Sequence, residues 1–168
     1  MSRIIGLIMN KAYLLTGGNM GNRILFLLQA KELVSEYCGE ITAASSYYET
    51  AAWGNTDQAA FINQALELQT ELNARQLIRK ILKIEKMMGR IRKEKYGPRN
   101  IDIDILLFND EIQEIPFLKL PHPEMQHRRF ALLPLAEIAP AVIHPVSKKT
   151  IQQLLNDCPD TLEVKKMN

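Results

Sequence analysis

The residues best suited to chemistry are concentrated between Gly89 and Phe108, in the stretch GRIRKEKYGPRNIDIDILLF. Asp102 and Asp104 are embedded in an apolar run from Ile101 to Phe108. That run is short, rich in Ile and Leu and preceded by Gly-Pro, which predicts a buried strand. Strand side chains alternate, so the two acids share one face while Ile101, Ile103 and Ile105 take the other. Two carboxylates roughly 7 Å apart on one face repel, and burying them unpaired is costly. A divalent cation resolves the conflict. Oxygen-only ligands suit Mg²⁺, which prefers one or two carboxylates plus substrate phosphates and water to an all-protein cage. Arg90, Arg92 and Arg99 lie close by in sequence, and the planar guanidinium fork matches phosphate oxygens. Together these residues point to Mg²⁺-nucleotide chemistry. The competing reading is an edge strand of solvated acids beside a solvated basic loop.

Three further constellations stand out. Gly17-Gly18-Asn19-Met20-Gly21 invites a phosphate-loop reading, but neither the Walker pattern nor Gly-x-Gly-x-x-Gly is met, so a tight strand-to-helix turn is favoured. Thr50 to Gln58 carries the single Trp, Trp53, and is followed by Phe61 and Asn63 on one face of the next strand. An aromatic ring plus an amide suits a planar heterocycle, by stacking on its face and pairing with its edge; a core aromatic and a turn amide are the alternative. His122, held between Pro121 and Pro123, precedes Arg128, Arg129 and Phe130 and makes a candidate phosphate contact. Glu85 falls one turn before Gly89, either orienting a basic residue or ligand group or standing as a surface charge.

The elements that must position these residues follow from local pattern. Lys11 to Leu15 reads as a first strand and Arg23 to Tyr37 as a helix with Leu25, Leu28 and Leu33 on its inner stripe. Glu40 to Tyr48 and Phe61 to Leu72 read as the second and third strands. Asn73 caps a second helix, Ala74 to Met88, with Leu77, Ile81, Leu82, Ile84 and Met88 inward and Gly89 ending it. The Asp-Ile-Asp strand is the fourth. This β-α-β-β-α-β order predicts an α+β fold of ferredoxin-like type, an antiparallel sheet with two helices on one face and the other face free for a ligand. A hairpin arm near Ile112 to Ile115, a Pro-rich passage from Pro116 to Pro123, and helices near Phe130 to Ile138 and Ile151 to Asn156 follow.

The chain has 168 residues, 46% hydrophobic and 24% charged, as expected of one globular domain over 1–168, with residues 1–10 as a possible N-terminal extension. Net charge is only +2, but between Arg75 and Arg99 ten Lys or Arg face only Glu85 and Glu94, a local positive field suited to a polyanion. Cys38 and Cys158 match no metal spacing and are expected to be reduced thiols of a cytoplasmic protein. No apolar run approaches the ~20 residues of a membrane helix.

These motifs resemble those of the 6-hydroxymethyl-7,8-dihydropterin pyrophosphokinase family. The resemblance rests on Gly89 to Arg92 followed by Tyr96 to Asp104, on Leu120-Pro121-His122-Pro123 with Arg128 and Phe130, on Gly17 to Gly21, and on Ser45 to Thr50 through Asn63. It runs from about residue 11 to 157. It implies pyrophosphate transfer from ATP to a pterin hydroxymethyl group, with Asp102 and Asp104 holding two Mg²⁺ ions. The implied catalytic residues are Arg90, Arg92, Asp102 and Asp104. The implied pterin-binding set is Thr50, Ala51, Trp53, Phe61, Asn63 and Phe130. The implied ATP-binding set is Glu85, Arg90, Arg92, Arg99, Ile105, His122 and Arg128. A monomer is expected, with a homodimer as the alternative, and neither nucleic acid nor membrane as partner. The chain departs from the family pattern at Ala51-Ala52, where Pro-Pro is usual, at Gly18 for Ser, at Tyr96 for Trp and at Phe61 for Tyr. The rival readings are a single-stranded RNA-binding sheet, which Asp102 and Asp104 would disfavour by repelling phosphates, and an inactive relative acting as a scaffold.

Overall fold

The computed structural model describes residues 7–52, 57–90 and 97–168. Its elements in chain order are β1 (Asn10–Gly18), α1 (Arg23–Tyr37), β2 (Glu40–Ala44), β3 (Tyr48–Thr50), β4 (Phe61–Thr70), α2 (Ala74–Met87), β5 (Asp102–Phe108), β6 (Gln113–Ile115), β7 (Leu118–Leu120), a 3-10 turn (Met125–His127), α3 (Arg129–Ile138), α4 (Ile151–Asp157) and β8 (Val164–Lys166). The main sheet runs β5-β1-β4-β3-β8, with β2 also on β4, and all its pairings are antiparallel.

Where the sequence predicts one strand from Glu40 to Tyr48, the structure has two. Ser45 breaks the ladder: its hydroxyl accepts from the Ala65 N–H at 2.9 Å, and its carbonyl accepts from the Gln64 side chain at 2.8 Å. The Ser46 N–H and hydroxyl both donate to Glu137 of α3 at 2.8 Å. Short polar side chains here offer the backbone partners other than a neighbouring strand. The expected Pro-rich passage likewise contains β7, which pairs with β6 and buries Leu118 and Leu120 while Lys119 faces out.

Helix α2 follows from its pattern. Asn73 accepts from the Gln76 N–H and Gln76 reaches back to the Asn73 N–H, a capping box, and Leu77, Ile81 and Ile84 are buried. Leu82, expected inward, is 41% exposed, one position off that stripe. In α1 the expected stripe is also displaced: Leu25 and Leu28 are largely exposed, and Leu27, Ala30 and Val34 are buried instead. Five consecutive apolar residues, Ile24 to Leu28, leave the helix's rotation undetermined locally; packing on the sheet decides it.

Side-chain alternation divides the core into two. Ala12, Leu14, Ile62, Leu66, Leu68, Ile103 and Ile105 pack with α1 and α2. Tyr13, Leu15, Ala65, Leu106 and Leu107 pack on the opposite face with Met125, Ala131, Leu132, Leu135, Ile151 and Leu154. Leu14 lies opposite Ile105 and Tyr13 opposite Leu107, so Leu106 is the extra residue of a bulge. The expectation of a wholly free second face is therefore corrected: α3 and α4 cover much of it. The end carrying Gly17, Phe61, Asn63, Asp102 and Asp104 belongs to that same face.

Candidate active site

The register aligns the chemistry. Gly17 on β1 lies opposite Asp102 on β5 and opposite Asn63 on β4, so the three form one row across neighbouring strands. Leu15 and Asp104 form the next pair down that face. Strands lie ~4.8 Å apart, and with no side chain on Gly17 the Asn63 amide rests over it, beside the acid. A Cβ on Gly17 would come within 2.1 Å of Asn63 Oδ1, so this close approach depends on glycine. Gly17 and Gly18 are both part of β1, and the α1 cap is the Asn22 side chain, accepting from the Leu25 N–H at 3.1 Å. This is the strand-to-helix turn.

On the β5 side of Gly17 the charges satisfy one another. Asp102 accepts from Arg90 at 2.8 Å and from Arg99 at 3.0 Å. Arg90 also pairs with Glu85, whose other oxygen accepts from the Ile103 N–H at 2.9 Å. Glu85 is thus no surface charge: it is buried, and it ties the last turn of α2 to the outer edge of β5. Burial pushes its carboxyl up, and the Asp102 charge adds to this, against the pull of the Ile103 N–H and Arg90. Burial works against the Arg90 charge, but Asp102 and Glu85 more than offset it and hold the guanidinium above its usual value.

Asp104 differs. Burial, and then the charges of Asp102 and Glu85, push its carboxyl up to about 8, with Arg128 and Arg90 pulling the other way. Like charge crowded on a strand face is a donor set that a cation would stabilise. Among the described residues no group of three or more His, Cys, Asp or Glu could hold a metal alone. Two carboxylates that need phosphate and water to complete coordination fit Mg²⁺.

His122 donates its backbone N–H to Leu106 O at 2.9 Å, anchoring it to β5. Its Nδ1 accepts from the Glu124 N–H at 3.2 Å, which leaves Nε2 to carry the proton of the neutral ring. Burial, reinforced by Arg128, holds its pKa below the usual value. The Arg128 guanidinium lies 5.7 Å from the centre of the Phe130 ring, and its buried Nε has no hydrogen-bond partner. The Ile105 side chain is in the core beneath α1 and α2, away from the acids. Ile103 directs its N–H outward to Glu85, and the two-residue alternation of an antiparallel strand brings the Ile105 backbone to the same outer edge.

On the β4 side of Gly17, the Phe61 ring centre lies 5.8 Å from the Arg99 guanidinium. Asn63 is 5% exposed and its Nδ2 donors are unpartnered. Thr50 ends β3 opposite Phe61, and its hydroxyl donates to Glu163 O at 3.1 Å; Ala51 is exposed and Ala52 buried. Trp53, Arg92 and Tyr96 lie outside the described residues.

Sequence reasoning does not single out Asn19, which the structure shows to be central. Its N–H donates to Arg99 O and its Oδ1 accepts from the Arg99 N–H, both at 2.9 Å. Its Nδ2 donates to Gln58 Oε1 and to Ala59 O, both at 3.0 Å. Its sequence signal is its place within Gly17 to Gly21, a segment read as a turn and as part of the family resemblance. Arg23, which donates to Ala60 O at 2.8 Å and pairs with Glu49, carries no sequence signal.

The family model described as 7,8-dihydro-6-hydroxymethylpterin-pyrophosphokinase (HPPK) matches residues 13–140. The chain is 44% identical over 145 residues to the 2-amino-4-hydroxy-6-hydroxymethyldihydropteridine pyrophosphokinase of Aquifex aeolicus, covering 86% of this chain and 90% of that one. It is 45% identical over 134 residues to the Bacillus subtilis protein of the same name, covering 79% and 80%. The wild-type Plasmodium falciparum HPPK-DHPS crystal structure with pteroate superposes with a TM-score of 0.74 at 20% identity, a likeness of fold; it covers 89% of this chain, which spans 42% of that longer one. With a matched model across most of its length and relatives this similar, the chain belongs to the 7,8-dihydro-6-hydroxymethylpterin-pyrophosphokinase family.

Proposed function

We propose that this chain transfers the pyrophosphoryl group of ATP to the hydroxymethyl oxygen of 6-hydroxymethyl-7,8-dihydropterin, a step of folate biosynthesis. The observation that supports the reading is the row Asp102–Gly17–Asn63, which has a charged cluster on one side of Gly17 and an unpartnered amide on the other. The pterin hydroxymethyl oxygen bonds to Pβ, the bond from Pβ to the oxygen bridging it to Pα breaks, that oxygen leaves with AMP, and the hydroxyl proton is lost.

Asn63 directs its unpartnered amide at the pterin edge, Phe61 and Phe130 supply ring faces, and the backbone of Thr50, Ala51 and Trp53 meets the remaining edge. Arg90 and Arg99, joined by Arg92, bind phosphate oxygens and stabilise charge that develops on them. His122 donates through Nε2, and Arg128 supplies a cation and a free Nε–H. The Ile105 backbone, on the outer edge of β5, gives the adenine a donor and an acceptor. Asp102 and Asp104 would hold two Mg²⁺ ions, which supply charge neutralisation along the polyphosphate. Glu85 keeps Arg90 aimed between α2 and β5.

The same reading takes the strand order as a ferredoxin-like core and the protein as a cytoplasmic monomer. Among the described residues no helix is long and apolar enough to cross a membrane. The test is AMP release from ATP with Mg²⁺, with and without the pterin, with products separated by chromatography. Pterin-dependent AMP together with a pterin diphosphate is expected. ATP binding without AMP formation would favour a scaffold instead.

A further inference from the structure

Three loops meet at this end of the sheet, and one buried amide in the first of them is bonded to the other two. Asn19 lies in the turn after β1 and is 5% exposed. Through its N–H and Oδ1 it exchanges two hydrogen bonds with the backbone of Arg99, whose guanidinium holds Asp102. Through both protons of Nδ2 it holds Gln58 and Ala59, the residues that lead into Phe61 and β4. Every hydrogen-bonding proton of the side chain is therefore used, and each arm serves one half of the site. The neighbouring packing requires the same closeness. A Cβ on Gly18 would come within 2.3 Å of Asn100 O, so the nucleotide-side loop is drawn against β1 closely enough for Asn19 to reach it.

We propose that Asn19 is the positioning residue that sets the spacing between the phosphate-binding and ring-binding halves, with its two side-chain arms acting on different substrates. Oδ1 fixes the loop bearing Arg99 and hence nucleotide binding. Nδ2 fixes residues 58–59 and hence the placement of Phe61 and Asn63. No ligand need touch Asn19 for this role. The inference rests on the pyrophosphokinase reading above.

The two arms separate by substitution. Asn19→Asp keeps an acceptor for the Arg99 N–H but removes both Nδ2 donors and faces Ala59 O and Gln58 Oε1 with an oxygen. Asn19→Ala removes both arms. Asn19→Asp is expected to raise the pterin KM about tenfold or more while leaving the ATP KM within about threefold, as the loss of one or two buried hydrogen bonds implies. Asn19→Ala is expected to raise both by about tenfold. Thermal unfolding checks that each variant is folded. If Asn19→Ala does not fold, Gln58→Ala replaces it: losing one of two Nδ2 acceptors is expected to raise the pterin KM about threefold, with the ATP KM unchanged.

Equal changes in both KM values for Asn19→Asp, or no change in either, would overturn the proposal. A wild-type protein without pterin-dependent AMP release would instead overturn the functional reading. Equilibrium binding of the pterin and of a non-hydrolysable ATP analogue with Mg²⁺ to the same variants then decides the role of Asn19, since the expected split applies equally to dissociation constants. Failure of the wild type to bind either ligand overturns both.

Discussion

The two halves of the site are built on opposite electrostatic terms. On the β5 side, Glu85, Arg90, Asp102 and Arg99 form a chain of ion pairs in which each carboxylate already has a cation. On the β4 side, Asn63 is buried with unpartnered donors. The first half is held ready by its own charges, and on the proposed reading a polyphosphate would replace contacts that already exist. The second lacks something that a ligand edge can supply, because a buried unpaired donor costs about 1–3 kcal/mol until it is satisfied. Phosphate affinity should therefore respond to any change in the balance of charge, and pterin affinity to the loss of one amide.

The largest expected effect breaks the charged half. Asp102→Asn should lower kcat by at least about a thousandfold with the fold intact, because it removes a proposed metal ligand and the charge that pairs with Arg90 and Arg99. Steady-state AMP release checks this, and near-normal turnover would refute the role assigned to the acids. Asn63→Ala sharpens the contrast: the pterin KM should rise about tenfold to a hundredfold and the ATP KM hold steady, as read by initial rates with each substrate varied in turn. Gly18→Ser, which restores the family's usual residue, should here raise the ATP KM severalfold and lower Tm, since its Cβ would meet Asn100 O at 2.3 Å.

The smallest effect concerns the strands behind the pterin half. Burial alone would push the Glu137 carboxyl up, but the Ser46 hydroxyl and N–H, Lys166 and the Tyr48 hydroxyl outweigh it and hold it below the usual range. A carboxylate with a lowered folded pKa contributes stability above its unfolded value, near 4.5, and loses it as pH falls through the folded one. Glu137→Gln should accordingly lower Tm by about 2–4 °C at pH 7, and the gap to wild type should narrow below pH 4.5. Thermal melts across pH would show it; a gap that widened on acidification would contradict the assignment.

Features set by near neighbours along the chain are legible in the sequence itself. The Asp-Ile-Asp alternation, the Asn73 cap and the inner stripe of α2 each depend on residues within a few positions of one another. Where a choice is settled by a distant partner, the sequence leaves it open. The Ser45 break exists because Ala65 donates to the Ser45 hydroxyl while Glu137 holds the adjoining Ser46, and α1 turns Leu27 rather than Leu28 inward because the sheet demands it. The second core, the pairing of β7 and the position of β8 are of this kind. At the site, charge and spacing disclose Asp102, Asp104 and the arginines. The buried state of Glu85 and the reach of Asn19 do not show, since both arise from loops meeting across the fold. Trp53 and Arg92 lie outside the described residues, so their roles rest on the sequence and the family resemblance.

Strand β8 carries a practical consequence. Tyr48, Glu49 and Thr50 pair along their whole length with Lys166, Lys165 and Val164, and the Met167 N–H reaches Tyr47 O at 2.9 Å. Trimming residues 163–167, or pulling them away with a bulky affinity tag, would bare a row of unsatisfied N–H and C=O groups along β3, next to the strand that carries Phe61 and Asn63. Such an edge is a template for neighbouring molecules, and the loss would show first as poor solubility during purification rather than as slow turnover. Expression vectors for this protein should carry their tags at the other terminus.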